Sequence, residues 1–269
     1  MTKADVDKIE EKTDVEAVLS DADILASVPP EELKTLEDMI RAGVLYGHKK
    51  SRTNPKFRPY INTTRNGIEI IDIPQTLPLI DTAVEFLKEK KREGKDVLVV
   101  ATQPAFREIG RSFAAALGFS YINKRWIGGL LTNFKIISGR IEFWKTLKSN
   151  LAAGRLDKYT KKERVLMQRN ADSMSLLFDG LENLKALPAA LFIVDTSVKG
   201  HSTALREARR LNIPVVAVID NDDNPEFVDH PIPANDHSRL SVEWILTRLQ
   251  EGMAKGGEDL KKAQSSDVI

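Results

Sequence analysis

The chain has 269 residues, of which 42% are hydrophobic and 29% charged, enough for one large or two modest domains around a sizeable core. It contains no cysteine, which excludes disulfides, zinc ribbons, iron–sulfur ligation and thiol nucleophiles. No apolar run reaches the roughly 20 residues of a membrane-spanning helix, and the polar, acidic start MTKADVDKIEEKTD has no signal-peptide pattern, so a soluble cytoplasmic protein is expected. The formal net charge of +1 conceals an asymmetry: residues 1–38 hold four Lys against twelve Asp or Glu, a local net of −8, which leaves +9 for the rest. An acidic, flexible leader on a basic body is the expected arrangement.

In chain order, Val28-Pro29-Pro30 breaks the leader, and a helix is predicted from about Glu31, with Leu33, Leu36, Met39 and Ile40 at helical spacing. Residues 43–65, rich in Gly, Pro, Asn and Lys/Arg, read as a long ordered loop. Strands are then predicted at 68–73, 96–101, 119–122, 190–195 and 214–220. Helices are predicted at 77–91, 105–117, around 201–211 and at 238–253, with a flexible tail over 254–269. Apolar strands separated by helices imply a parallel sheet covered on both faces, with right-handed crossovers. The α/β domain is expected to comprise 39–132 and 188–253.

Residues 133–187 break the rhythm. Phe134, Ile137, Ile141, Trp144, Lys148 and Leu151 alternate spacings of three and four, and Met167, Asn170, Met174, Leu177, Leu181 and Leu184 repeat the pattern. A spacing near 3.5 is that of a coiled-coil seam. An inserted antiparallel helical hairpin turning near 154–159 is predicted, each arm projecting roughly 25–30 Å at about 1.5 Å per residue.

Open parallel sheets bind ligands beyond the carboxyl ends of their strands. The segments after Ala101 and Asp72 lack the glycines that a dinucleotide or phosphate loop needs, so no such cofactor is expected. Asp195 and Asp220 end two strands, and Asp222 and Asp223 follow. Such carboxylates hold Mg²⁺ in phosphotransfer sites, and His48, His201, His230 and His237 join them if the fold brings them near. The competing reading is that these Asp residues cap helices and shape turns. Basic residues make the stronger case. Arg41, Lys49, Lys50, Arg52, Lys56, Arg58 and Arg65 fall in a stretch with no acid, and residues 123–164 hold eleven Lys or Arg against three acids. Among the eleven are Lys124, Arg125, Lys135, Arg140, Lys145 and Lys148. Clustered positive charge calls for a polyanion. With neutral donors (Asn54, Asn62, Asn66, Asn133) and flat rings (Tyr46, Phe57, Tyr60), the mixture suits a structured RNA.

The segments Ala42–His48, Asn54-Pro55-Lys56, Arg65–Ile68, Asn123–Phe134, Ala190–Asp195, Glu207-Ala208-Arg209, Ile213–Asp220 and Ile232–Asp236 are collinear. Together they resemble the family of small-subunit ribosomal protein two, over about 38–253. The resemblance implies a three-layer α/β fold, a flavodoxin-like parallel sheet with an inserted antiparallel coiled-coil hairpin. It also implies binding to small-subunit ribosomal RNA, contact with neighbouring ribosomal proteins, recruitment of ribosomal protein one, and no catalysis. The motif around Arg125, Trp126, Gly128, Gly129, Thr132 and Asn133 is expected to form the entry to the hairpin, Trp126 beneath the glycines and Arg125 toward RNA. Two features depart from the family pattern: the leader extends beyond the usual start, and the 196–206 segment looks longer, with Lys199-Gly200 where an acid is commoner. A Mg²⁺-dependent phosphohydrolase using Asp195 and Asp220 is the rival reading.

Overall fold

A computed structural model describes the backbone of residues 30–156 and 159–266, with side chains over 33–156 and 159–254. Most of the acidic leader therefore lies outside the described residues. Its last segment forms helix α1 (Pro30–Arg41), and Leu36, Met39 and Ile40 of this helix are buried in the core. The boundary drawn from charge at 38/39 thus cuts through a helix.

Five strands make one parallel sheet: β4 (Val97–Val100), β5 (Ser120–Ile122), β6 (Ala190–Val194), β7 (Val215–Ile219) and β8 (His230–Pro233), in the order β5-β4-β6-β7-β8. This is the flavodoxin-like order, whose switch point lies between β4 and β6. Each residue of β4, β6 and β7 is buried, because both faces are covered. Val97, Val99, Phe192, Val194, Val216 and Val218 belong to one apolar layer. That layer is completed by α1, α2 (Ile73–Arg92), α3 (Arg107–Leu117) and α7 (Arg239–Ser266). The alternate residues Leu98, Val100, Leu191, Ile193, Ala217 and Ile219 belong to the other layer, with Phe57, Trp126, Trp144 and Phe178. Period-two alternation along fully buried strands is what separates the two layers.

Three elements differ from expectation. The 43–65 segment is not a loop throughout. It forms β1 (Tyr46–Lys49), two short 3₁₀ turns and β2 (Ile61–Arg65), which join β3 (Ile68–Ile71) in an antiparallel sheet of order β1-β3-β2. The 68–73 strand therefore lies outside the parallel sheet. The cause is Asn66-Gly67, both at positive φ (48° and 79°), the geometry of a tight two-residue hairpin turn. β8, absent from the predicted elements, is an edge strand containing Pro231 and Pro233, a place where missing N–H groups are tolerated. The last helix continues past Met253 to Ser266, where the sequence predicted a tail.

Between β5 and β6 the chain forms α4 (Phe134–Ala152) and α5 (Lys161–Phe178). α5 opens with a reciprocal capping box between Thr160 and Glu163. Ile137, Ile141 and Trp144 of α4 are buried as predicted; of the second run Leu181 and Leu184 are buried and Met174 and Leu177 pack partly buried against the same cluster, but further residues of α5 join the contact. Ala171 and Phe178 are buried, Ser175 accepts the Trp144 Nε1–H bond at 3.0 Å, and Asn170 is exposed. The turn Asp179–Leu181 after α5 packs on the β5 edge, where Tyr121 Oη donates to Asp179. At Gly180 a Cβ would meet the Tyr121 carbonyl oxygen at 2.2 Å. Gly180→Ala is therefore expected to cost about 1–3 kcal/mol by overpacking, read as a lower urea midpoint with an unchanged slope.

Candidate nucleic-acid interface and the acidic strand-end cluster

The basic segments are surface features hung on apolar anchors. In the first, Phe57 is fully buried and its ring centre lies 5.3 Å from that of the half-buried Tyr60, the rings tilted by 58°; Phe57 is thus a core anchor, not the exposed flat face that the sequence suggested. Around it Lys49, Lys50, Arg52, Lys56 and Arg58 are exposed, with Arg65 half-buried on β2. Lys56 pairs with Glu226. Asn54 is committed to structure: its side chain accepts from Lys56 N at 3.1 Å, and its own N–H donates to the Asn221 carbonyl at 2.7 Å.

The second segment is organised by a residue that the sequence reading names only within the family resemblance and gives no role. Glu207, on α6 (Lys199–Arg210), is 8% exposed and accepts five hydrogen bonds. They come from Trp126 Nε1–H (3.0 Å), the N–H groups of Gly129 (2.8 Å), Leu131 (3.1 Å) and Thr132 (3.2 Å), and Thr132 Oγ1 (3.2 Å). The Gly129 φ of 84° bends the backbone so that successive N–H groups converge on one carboxylate, as in anion-binding nests. Trp126 is buried, consistent with its expected place beneath the glycines. Lys124, Arg125, Lys135, Arg140 and Lys148 are exposed. Lys145 pairs with Glu142 at 2.7 Å, and the Lys148 ammonium lies 4.9 Å from the Trp144 ring centre. The two segments share a layer: Phe57 and Tyr60 pack in the same apolar cluster as Trp126, Leu130 and Ile137.

The carboxyl ends of the strands gather acids instead. Asp195 follows β6 in a left-handed conformation (φ 65°); Asp220 and Asp223 follow β7, and Asp236 follows β8. All four are buried, Asp195 and Asp236 fully. Asp195 accepts from Ser197 N–H (2.8 Å) and Oγ (2.7 Å), and from Gln103. His48 Nδ1 lies 2.9 Å from Asp220 and 3.8 Å from Asp222. His237 Nδ1 lies 2.6 Å from Asp236, and the two imidazoles meet edge to face at 4.5 Å. Hydrogen bonding to Asp220 raises the His48 pKa against the opposing effect of burial. Burial, against the His48 bond, raises Asp220. Burial pushes Asp223 up to about 7, and burial with the surrounding carboxylates raises Asp236.

Of the four histidines, two join this cluster. His201 is buried, contacts Thr102 Oγ1 at 2.8 Å and has its pKa lowered by desolvation, while His230 stacks at 4.3 Å on Phe86. The turn-shaping role weighed for 221–225 holds for Asn224, which accepts from Glu226 N–H. Asn221 has a different task. It clamps β1 by accepting from His48 N–H (2.6 Å) and donating to the His48 carbonyl (3.2 Å) and to Thr53 Oγ1 (2.9 Å). Gly47 makes the approach possible, since a Cβ there would lie 2.9 Å from Asp220 Oδ1. The basic loop is thereby pinned to the acidic end of β7.

The sequence profile of the family described as "Ribosomal protein S2" matches residues 39–256. The chain is 38% identical over 233 residues to the small ribosomal subunit protein uS2 of Coprothermobacter proteolyticus, covering 87% of this chain and 86% of that protein. It is 38% identical over 225 residues to uS2 of Thermus thermophilus (83% and 87%). Against uS2c of Rhodomonas salina the identity is 37% over 234 residues (87% and 96%).

Burial works to raise the Glu207 pKa, but the bonds from Trp126, Gly129, Thr132 and Leu131 together outweigh it and hold the carboxyl below its ordinary value of 4.5. A depressed carboxylate contributes stability that is present above the unfolded value and lost as pH falls through the folded one. Urea midpoints measured between pH 7 and 3 are expected to fall less steeply for Glu207→Gln than for wild type. Glu207→Ala is expected to cost about 3 kcal/mol by leaving buried donors unpaired.

Proposed function

The chain belongs to the ribosomal protein S2 family, and from that premise we propose that it docks on small-subunit ribosomal RNA through its two basic segments. As a member of that family it is a structural, non-enzymatic constituent of the small ribosomal subunit, so the phosphohydrolase reading of Asp195 and Asp220 falls. The observation that carries the docking surface is that both basic segments are anchored in one apolar layer. In this reading their exposed Lys and Arg side chains meet the RNA together. Lys49, Lys50, Arg52, Arg58 and Arg65 neutralise phosphates beside β1 and β2. Lys124 and Arg125 do so at the Glu207-held turn, and Lys135, Arg140, Lys145 and Lys148 along α4. The unit 133–187 acts as a hairpin wedged among RNA helices and neighbouring proteins.

Exposed Lys and Arg release counterions on binding, so affinity falls linearly in log–log form with salt, by about 0.7–0.9 per phosphate neutralised. Arg58→Glu with Arg140→Glu, one change in each segment, is expected to reduce incorporation into small subunits and to lower the salt slope by about two. Sucrose-gradient sedimentation and filter binding read these effects. Wild-type incorporation and slope would refute the docking surface.

The opposite layer carries the protein-facing surface in this reading. A groove of about 570 Å³ runs between α1 and α7, lined by Arg41, Leu240, Trp244 and Arg248 among others. Leu240 is 63% exposed, and an apolar side chain rimmed by charge suits a protein neighbour. We assign ribosomal protein one to this groove. Leu240→Asp is expected to lower its co-sedimentation with the subunit several-fold without reducing incorporation of the chain itself.

A further inference from the structure

The first basic segment encloses a carboxylate that phosphate binding does not explain. No Asp or Glu lies between Asp38 and Glu69, and Glu69, on β3, lines a cavity of about 440 Å³ together with Lys50, Thr53, Arg58 and Ile61. Lys50 and Arg58 are exposed, Thr53 and Ile61 half-buried, and Glu69 is 4% exposed. Cations thus stand at the rim and the carboxylate at the base. Glu69 Oε2 accepts from Thr64 Oγ1 at 2.9 Å, across the register that pairs Thr64 with Glu69. Thr53 Oγ1 is 3.5 Å from Oε1, at the outer limit of a hydrogen bond, and itself accepts from Asn221 Nδ2 at 2.9 Å. A carboxylate offers about four acceptor positions, and two hydroxyl donors do not fill them.

A negative charge at the base of a cation-rimmed pocket repels a phosphate and selects a group with N–H donors. Among the four RNA bases, guanine alone has two adjacent donors, N1–H and N2–H, on its Watson–Crick edge. Adenine, cytosine and uracil place an acceptor beside the donor there, which a carboxylate repels. Two parallel N–H bonds to one carboxylate repeat the fork geometry of an Arg–carboxylate pair. Unpaired bases splayed from structured RNA are read on that edge and stack on guanidinium planes; Arg58 supplies the plane and Ile61 an apolar wall. We propose that this pocket takes an unpaired guanine of the docked RNA, its N1–H and N2–H donating to Glu69, with Lys50 on an adjoining phosphate. The site rests on the RNA-docking reading and adds a base preference, which phosphate contacts alone do not carry. A free guanine nucleotide offers the same edge, but the four exposed cations in this segment, Lys49, Lys50, Arg52 and Arg58, suit successive phosphates of a polymer.

The test titrates labelled uridine oligonucleotides bearing one central guanosine, inosine or adenosine with the full-length chain, read by fluorescence anisotropy. Inosine keeps N1–H and lacks the N2 amino group. Guanosine RNA is expected to bind at least about fivefold more tightly than either of the others, the scale of one bidentate base contact. In Glu69→Gln, whose amide turns one acceptor into a donor, the three affinities are expected to fall within about twofold of one another, at the wild-type salt slope. A carboxylate that only reduces local positive charge would, on removal, raise all three affinities equally and leave their ratios intact; that result overturns the pocket. The comparison of RNAs on the wild-type chain needs no substitution, so it decides the matter even if Glu69→Gln fails to fold. Equal affinities there, with a steep salt dependence, overturn the pocket and leave the docking surface standing. Absence of any RNA binding fails both. Guanosine monophosphate is expected to compete only weakly; saturable binding at the affinity of the guanosine RNA gives the pocket to a mononucleotide and overturns the RNA-borne guanine.

Discussion

A parallel sheet covered on both faces has nowhere to put a polar group except the ends of its strands. β4, β6 and β7 are buried along their whole length, and the buried aspartates Asp195, Asp220, Asp223 and Asp236 collect where the strands stop. Hydrophobic burial, at roughly 25 cal/mol per Å² of apolar surface, sets this arrangement, and the rest of the molecule answers to it. Asp195, Asp220 and Asp236 meet because they follow neighbouring strands, although long stretches of chain separate them. His48 reaches them because β1 is held against the same end by Asn221, and Gly47 leaves room for that approach.

The same constraint sorts charge by depth. Acids lie inward at the strand ends, while bases lie outward on segments whose only buried parts are aromatic or aliphatic anchors: Phe57 for one, Trp126 and Leu130 for the other. The long Lys and Arg side chains extend from these anchors into solvent, where ionisation costs nothing. Glu207 is the exception that proves useful. It is an acid on the buried face of its helix, and its partners are backbone N–H groups of the turn that leads into α4. One carboxylate thereby sets where Arg125 and the whole of α4 begin.

Much of this was legible in the sequence. Runs such as Val97–Val100 and Val215–Ile219 announce doubly covered strands without ambiguity, and the basic stretches are visible by counting. What escaped did so for physical reasons. The hairpin signal Asn66-Gly67 sits beside a segment whose prolines and lysines read as loop, so β1 and β2 were hidden. β8 carries two prolines, which propensity treats as breakers and an edge position tolerates. That single omission concealed how Asp236 and His237 reach Asp195. In α5 the predicted Met174 and Leu177 do pack at the contact, but Ala171 and Ser175, small enough to face a tryptophan, carry too weak an apolar signal to be picked out. Glu207 left a trace that could have been followed: it shares a helical face with His201, Ala204 and Ala208, all buried, and an acid at such a position needs donors.

The borders of the five-stranded sheet have a consequence of their own. At β5 the turn Asp179–Leu181 lies across the strand, with Gly180 against the Tyr121 carbonyl. At β8, Pro231 and Pro233 remove two of the four possible backbone donors. Neither border offers an uninterrupted row of N–H and C=O groups to an incoming strand. The sheet is thereby protected against self-templated polymerisation through either border.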